Sequence, residues 1–247
     1  MTTAVPTHVA ATRLETAGLR VDLGGTVAEL RTGDAAWLGK LRTRFEGFVT
    51  DAPPNLVLNH RADRPGPPVA ISGGGHLVEL NGAPSTGLLD GVLRTVLPGL
   101  AAPALVVHGG LLAGGGSGFL FCGRSGAGKS TLAALLPDHA LCDELALVRA
   151  AGGGFDGVSL PFWEARPGRA PLAGIFLLEH APVHRRDRLT PAAAARALRR
   201  HVYWPADDAA ALAGTFATMT DLAAAVPAWR LGFARDAGVW RTIAEAA

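Results

Sequence analysis

The chain has 247 residues, which suits one large domain or two small ones. Hydrophobic residues make up 49% and charged residues 18%, a balance that excludes a disordered chain. Lys+Arg 23 against Asp+Glu 21 leaves a net charge of +2, with no broad cationic field for nucleic acid, and two cysteines are too few for a disulfide scaffold.

Met1–Leu14 carries no apolar run of the kind found in secretory signals, so a cytoplasmic protein is expected. Alternation predicts strands over Arg13–Leu23 and Thr26–Arg31 around a Gly24-Gly25 turn. Asp34 caps a predicted helix from Ala35 to about Val49, with Trp37, Leu38, Leu41, Phe45 and Phe48 as its apolar stripe. Short strands are expected over Asn55–Asn59, Val69–Ser72 and His76–Leu80. A helix then runs from Ser85 to Leu97, where Pro98-Gly99 should end it.

From Thr95 to Gly123 there is no Asp, Glu, Lys or Arg, a run long enough to span a bilayer. Two prolines and many glycines interrupt it, so two buried strands joined by a glycine turn fit better, and no membrane is implied. The strands are expected over Ala104–His108 and Gly118–Cys122. A short helix from Ser130 to Leu136 follows, then a hairpin of Ala140–Ala150 and Phe155–Leu160 around Gly152-Gly153-Gly154. Ala173–Glu179 is a buried strand, Thr190-Pro191 opens a helix to about Tyr203, and Asp207–Val226 forms a second helix. Trp229–Ala234 and Asp236–Ala246 complete the pattern as strand and helix. Cys122 and Cys142 each close an apolar run and are expected buried, reduced and on neighbouring strands.

Lysine occurs only at positions 40 and 129, and Lys129 stands in Gly123-Arg124-Ser125-Gly126-Ala127-Gly128-Lys129-Ser130-Thr131. This is the G-x-x-x-x-G-K-[ST] phosphate loop, here between an apolar strand and a helix-forming run. Its glycines let backbone N–H groups converge on phosphate oxygens, its lysine puts a point charge on them, and the Ser130 hydroxyl can ligate Mg²⁺. Gly123, Ser125, Gly126, Ala127, Gly128, Lys129, Ser130 and Thr131 are therefore the expected nucleotide-binding residues. No base-reading motif separates ATP from GTP or ADP. Thirteen residues after Ser130 comes Asp143, followed by Glu144, in an otherwise apolar strand. Two adjacent carboxylates there are costly to bury without a cation, which suggests a metal or a substrate proton as their target; a solvated hairpin edge is the plainer alternative.

His108-Gly109, the phosphate loop and Leu141-Cys142-Asp143-Glu144 together resemble the HPr kinase/phosphorylase family, and more closely its compact relatives associated with peptide modification, including lasso-peptide kinases. That resemblance covers about Leu105–Val148. It implies an α/β fold with a P-loop core of mixed sheet and helices, shared with ATP-dependent phosphoenolpyruvate carboxykinase, and a small β-rich layer in front. It implies ATP and Mg²⁺, with Ser130, Asp143 and Glu144 toward the metal, Asp143 as base for an acceptor hydroxyl, and His108 near the transferred phosphate. With Lys129 these form the expected catalytic set. Thr131 stands where HPr kinases have Glu, and Glu144 where they have a second Asp, which points away from HPr as acceptor.

The expected organisation is a small α+β layer over residues 1–100 and a P-loop kinase core over 101–247. The expected activity is Mg-ATP-dependent phosphorylation of a hydroxyl, foremost a serine on a peptide or protein. A kinase for a free small molecule such as serine, and a non-catalytic nucleotide-binding module, are the alternatives. Arg166, Arg169, Arg196, Arg199 and Arg200 are candidates for lining an acceptor groove, and the residues imply no particular oligomeric state.

Overall fold

The computed structural model describes residues 17–64, 66–206 and 208–246. The Arg13–Thr16 part of the first predicted strand and Asp207 lie outside them. The fold is mixed α/β, with six α-helices and two sheets among the described residues.

In the first sheet, β1 (Ala17–Asp22) and β2 (Val27–Thr32) form an antiparallel hairpin. β3 (Leu56–Arg61) and β5 (Leu77–Asn81) continue it in parallel, and β4 (Val69–Ser72) closes the edge antiparallel to β5. Helix α1 (Ala35–Arg44) begins where expected, the Asp34 carboxylate accepting from Trp37 N at 2.7 Å. It stops about five residues early. Gly47 takes a φ of +78°, and the turn carries Phe48 back into the core, where its carbonyl accepts from Asp22 N. Helix α2 (Thr86–Ala101) departs in the other direction, running through Pro98. Leu97 and Pro98 are buried and Leu100 packs on the core, so burial of that last turn outweighs one missing N–H.

The second sheet is built on β6 (Leu105–Gly114), the first charge-free strand. β7 (Ser117–Cys122) returns from it across a Gly115-Gly116 turn, both glycines having positive φ. Helix α3 (Lys129–Leu135) leads to β8 (Ala140–Cys142), β9 (Leu145–Ala151) and β10 (Gly154–Ser159). The expected hairpin arm is thus broken in two at Asp143-Glu144. β11 (Arg169–His180), β12 (Arg185–Arg188), α4 (Pro191–Leu198), β13 (Val202–Tyr203), α5 (Ala209–Ala225), β14 (Ala228–Phe233) and α6 (Val239–Ala244) complete the chain. The strand order is β10-β9-β6-β7-β11-β14-β12, with β8 and β13 also paired to β6. Two further elements differ from the sequence pattern. The helix expected to reach Tyr203 ends at Leu198, because Val202 and Tyr203 pair with Val107 and Val106 of β6. Arg185–Arg188 is an edge strand on β14, where charged side chains suit an exposed strand.

The two sheets share one apolar cluster. Leu19, Trp37, Leu41, Leu58, Leu89 and Val96 of the first hundred residues pack together with Val106, Leu145, Leu147, Leu160 and Phe162. Among the described residues, no helix is long and apolar enough to cross a membrane.

Candidate active site

β6 changes neighbours halfway along. Its Leu105–His108 half pairs with β9, while its Gly109–Gly114 half pairs with β7 on one side and β8 on the other. At the changeover, Gly109 stands opposite Cys122, and its N–H donates to the Glu144 carbonyl at 3.1 Å. The flanking strands come so close that side chains are excluded. A Cβ on Gly109 would lie 2.8 Å from the Phe121 carbonyl oxygen, and one on Gly110 would lie 2.1 Å from the Phe121 ring. β7 and β8 are both antiparallel to β6, and β11 and β14 run parallel to β7. The carboxyl ends of β7, β8, β11 and β14 therefore meet at one end of the sheet. The phosphate loop leaves β7 there, Asp143-Glu144 follows β8, Glu179-His180 ends β11, and Phe233 ends β14. Ligand sites of open α/β sheets form at such strand ends.

The loop has the conformation its sequence demands. Gly126 and Gly128 have φ of +79° and +100°, a region costly for any residue with a Cβ. A Cβ on Gly128 would also meet the Phe233 ring at 2.8 Å, and one on Gly123 would meet Ala127 at 2.6 Å. No side chain caps the N-terminus of α3, so its first N–H groups are left to the loop. Lys129 is only 8% exposed, rare for an unpaired lysine, and its Nζ donates to the Gly123 carbonyl at 3.1 Å. Ser130 is exposed and Thr131 half-buried in the first turn of α3. His180 holds the loop from β11, its Nε2 lying 2.7 Å from the Gly126 carbonyl. A carbonyl only accepts, so Nε2 carries the proton.

The two acids have different surroundings. Oδ1 of Asp143 is buried and has no hydrogen-bond partner. Glu144, expected among the metal ligands, has both carboxylate oxygens engaged. Arg94 of α2 donates to Oε1 at 3.0 Å, and His108 Nε2 lies 3.6 Å from Oε2, just beyond hydrogen-bond distance. His108 and then Arg94 hold the Glu144 carboxyl down at about 2, against the cost of its burial. Arg94 also reaches the Tyr203 hydroxyl at 3.1 Å and lies 5.3 Å from the centre of the Phe162 ring. His201, whose carbonyl accepts from His108 N, completes the group. Burial, then the nearby His108, Lys129 and Arg200, push its imidazole down to about 4.

A cavity of about 1170 Å³ opens at this end of the sheet. Cys122–Ala127, His108, His180, His201, Arg196, Arg200 and Arg230 contribute to its wall. Lys129, Ser130, Thr131, Asp143 and Glu144 do not line it. Of the candidate acceptor-groove arginines, Arg196 and Arg200 are brought to the wall, whereas Arg199 is not. Arg166 instead donates to the Asp138 carbonyl and Arg169 pairs with Asp156. Cys122 and Cys142 are free and buried, but β6 separates their strands, so they are not on adjacent ones as expected.

His180, Arg94 and His201 were not anticipated. His180 gave the same signal as His108, a histidine at the end of an apolar strand. Arg94 gave none, because only tertiary folding carries α2 to Glu144.

The donor set suits a magnesium nucleotide. Mg²⁺ is commonly held by one or two protein oxygens together with substrate phosphates rather than by a protein cage. No group of three His, Cys, Asp or Glu able to hold a metal occurs among the described residues. The orphaned Asp143 oxygen and the Ser130 hydroxyl are the available oxygens.

No protein-family model matches the chain, and no curated protein matches it. Among solved structures, the HPr(Ser) kinase/phosphatase from Coxiella burnetii is similar over 57% of this chain and 96% of that chain, at 12% identity and a TM-score of 0.33.

Proposed function

We propose that the chain is a Mg-ATP-dependent kinase that phosphorylates a hydroxyl, specifically a serine on a peptide or protein. One observation carries this reading: a phosphate loop and the Asp143-Glu144 pair leave two strands of the same direction, with β6 alone between them. The loop supplies a donor site and the acid pair a proton acceptor at the same end of the sheet.

The loop N–H groups and Lys129 bind and orient the β- and γ-phosphates, and His180 fixes the loop through Gly126. Lys129 moves its ammonium from the Gly123 carbonyl to phosphate oxygen, an exchange of one acceptor for a charged one. Ser130 and one carboxylate oxygen of Asp143 would hold Mg²⁺, which when bound neutralises charge on the phosphates, leaving the other Asp143 oxygen for the acceptor proton. The acceptor oxygen attacks the γ-phosphorus as the bond to the β,γ-bridging oxygen breaks. The electron pair of that bond leaves with ADP, and the hydroxyl proton passes to Asp143. Arg94 and His108 keep Glu144 ionised and fixed, so Glu144 anchors the acid pair while Asp143 remains free to act.

Incubation of the full chain with Mg-ATP and either serine peptides or free serine, read by mass spectrometry, tests this. Phosphoserine in peptide is expected. Phosphorylation of free serine alone would replace the acceptor, and nucleotide binding without transfer to any hydroxyl would make the chain a binding module.

A further inference from the structure

The phosphate loop accounts for the donor and leaves much of the cavity wall unexplained. The cavity, about 1170 Å³, exceeds the roughly 300–1,000 Å³ typical of a single small-ligand pocket, so space remains beside a nucleotide. In its wall are Arg196, in the last turn of α4, and Arg200, in the turn that follows the helix. Among the described residues four arginines line the wall: Arg230 binds Glu179 at 2.8 Å, Arg124 belongs to the phosphate loop, and Arg196 and Arg200 belong to neither. Arg196 and Arg200 are exposed and make no ion pair or side-chain hydrogen bond with another described residue. Among the described residues Glu179 is the one carboxylate in the cavity wall, and it is already paired with Arg230 and within 4.0 Å of Arg185, which leaves it poorly placed to receive the ammonium of a free amino acid.

We propose that Arg196 and Arg200 form the recognition site for the acceptor, and that the acceptor is an acidic peptide segment with carboxylates at alternate positions beside its serine; this rests on the kinase reading above. The spacing favours it. The backbone keeps a tightened helical course past the end of α4, the Arg200 N–H donating to the Ala197 carbonyl at 3.2 Å, and residues one helical turn apart have Cβ atoms about 5–6 Å apart. Side chains on one side of an extended peptide repeat every two residues, at about 6.6 Å. Two guanidinium groups can therefore each fork onto one carboxylate without bending the peptide. The phosphates of the donor do not require this pair, since the loop amides and Lys129 are theirs.

The test uses three labelled serine peptides that carry Glu, Gln or Lys at the alternate positions. Each is titrated against the full chain at low and high salt, alongside a fluorescent ATP analogue, and phosphoserine is measured in the same samples. The Glu peptide should bind at least tenfold more tightly than the Gln peptide and weaken with salt. Arg196→Ala and Arg200→Ala should each reduce that binding about tenfold, with nucleotide affinity within twofold. The double variant Arg196→Glu/Arg200→Glu should transfer the preference to the Lys peptide, a gain that a misfolded chain could not show. Equal binding of Glu and Gln peptides would overturn the proposal. So would a parallel loss of nucleotide affinity, which would give the arginines to the donor, or competition by small hydroxy acids with no peptide bound. Charge-dependent peptide binding without phosphate transfer would count against the kinase reading and for this recognition site.

Discussion

Arg94 and Glu144 are fifty residues apart in sequence, yet the Arg94 guanidinium lies 3.0 Å from the Glu144 carboxylate. The arginine belongs to α2, which packs in the core shared by both sheets, and the glutamate follows β8 beside the candidate base. The contact ties the first hundred residues to the chemistry of the rest. Both side chains are about four-fifths buried, so removing one leaves a poorly solvated charge. Arg94→Ala should therefore destabilise the fold by about 1.5–3 kcal/mol, a range measured for hydrogen bonds to charged groups. Denaturant unfolding would show it as a lower midpoint, and Glu144→Gln combined with Arg94→Ala should cost less than the two single changes added together.

Stability should fall in two steps as pH is lowered. His201, held down at about 4 against 6.5 when unfolded, stays neutral in the fold while the unfolded chain takes up a proton, so stability declines from about pH 6.5 to pH 4. Glu144, held at about 2 against 4.5, contributes fully above pH 4.5, and that contribution is lost as pH falls toward 2. His201→Asn should flatten the first step and leave the second. A Tm series across pH 3–7 measures both, and an unchanged first step would remove His201 as its source.

The two thiols should be inert in the native protein. Burial pushes both up to about 12, leaving almost no thiolate at neutral pH. Thiol labelling should be slow in the folded chain and fast in denaturant, at both positions.

Donor binding should depend on the loop's lysine. Lys129→Ala removes the only side-chain cation buried in the loop, and ATP-dependent thermal stabilisation should disappear with it. Gly128→Ala should have the same effect for a different reason, since its Cβ meets Phe233 in a backbone region that disfavours alanine. Full ATP affinity in Lys129→Ala would contradict the phosphate-loop reading.

Elements with local signals were legible in the sequence. The Gly and Lys spacing marked the loop, Asp34 and Ser85 marked helix starts, and the charge-free run marked β6 and β7. Where the sequence pattern and structure part, tertiary pairing decided. Val202-Tyr203 left a helical pattern to pair with β6, and the charged Arg185–Arg188 became a strand only because β14 offered an open edge. At the site, the motif pointed to Lys129 and the acid pair, but not to the different surroundings of the two acids. Arg94 comes to Glu144 through packing of the first sheet, and no spacing within Leu141–Leu145 encodes that contact.

The most direct test of the kinase reading compares Asp143→Asn with the unaltered chain in two assays, binding of a fluorescent ATP analogue and formation of phosphoserine in an acidic serine peptide with Mg-ATP. The substitution keeps the shape of the side chain and removes its charge and its ability to take the acceptor proton. General-base assistance typically contributes about 10²–10⁴-fold in rate. ATP affinity should stay within a few-fold of the parent, and phosphoserine should form at least a hundredfold more slowly. Transfer at the parental rate in Asp143→Asn would contradict this and remove Asp143 as the base.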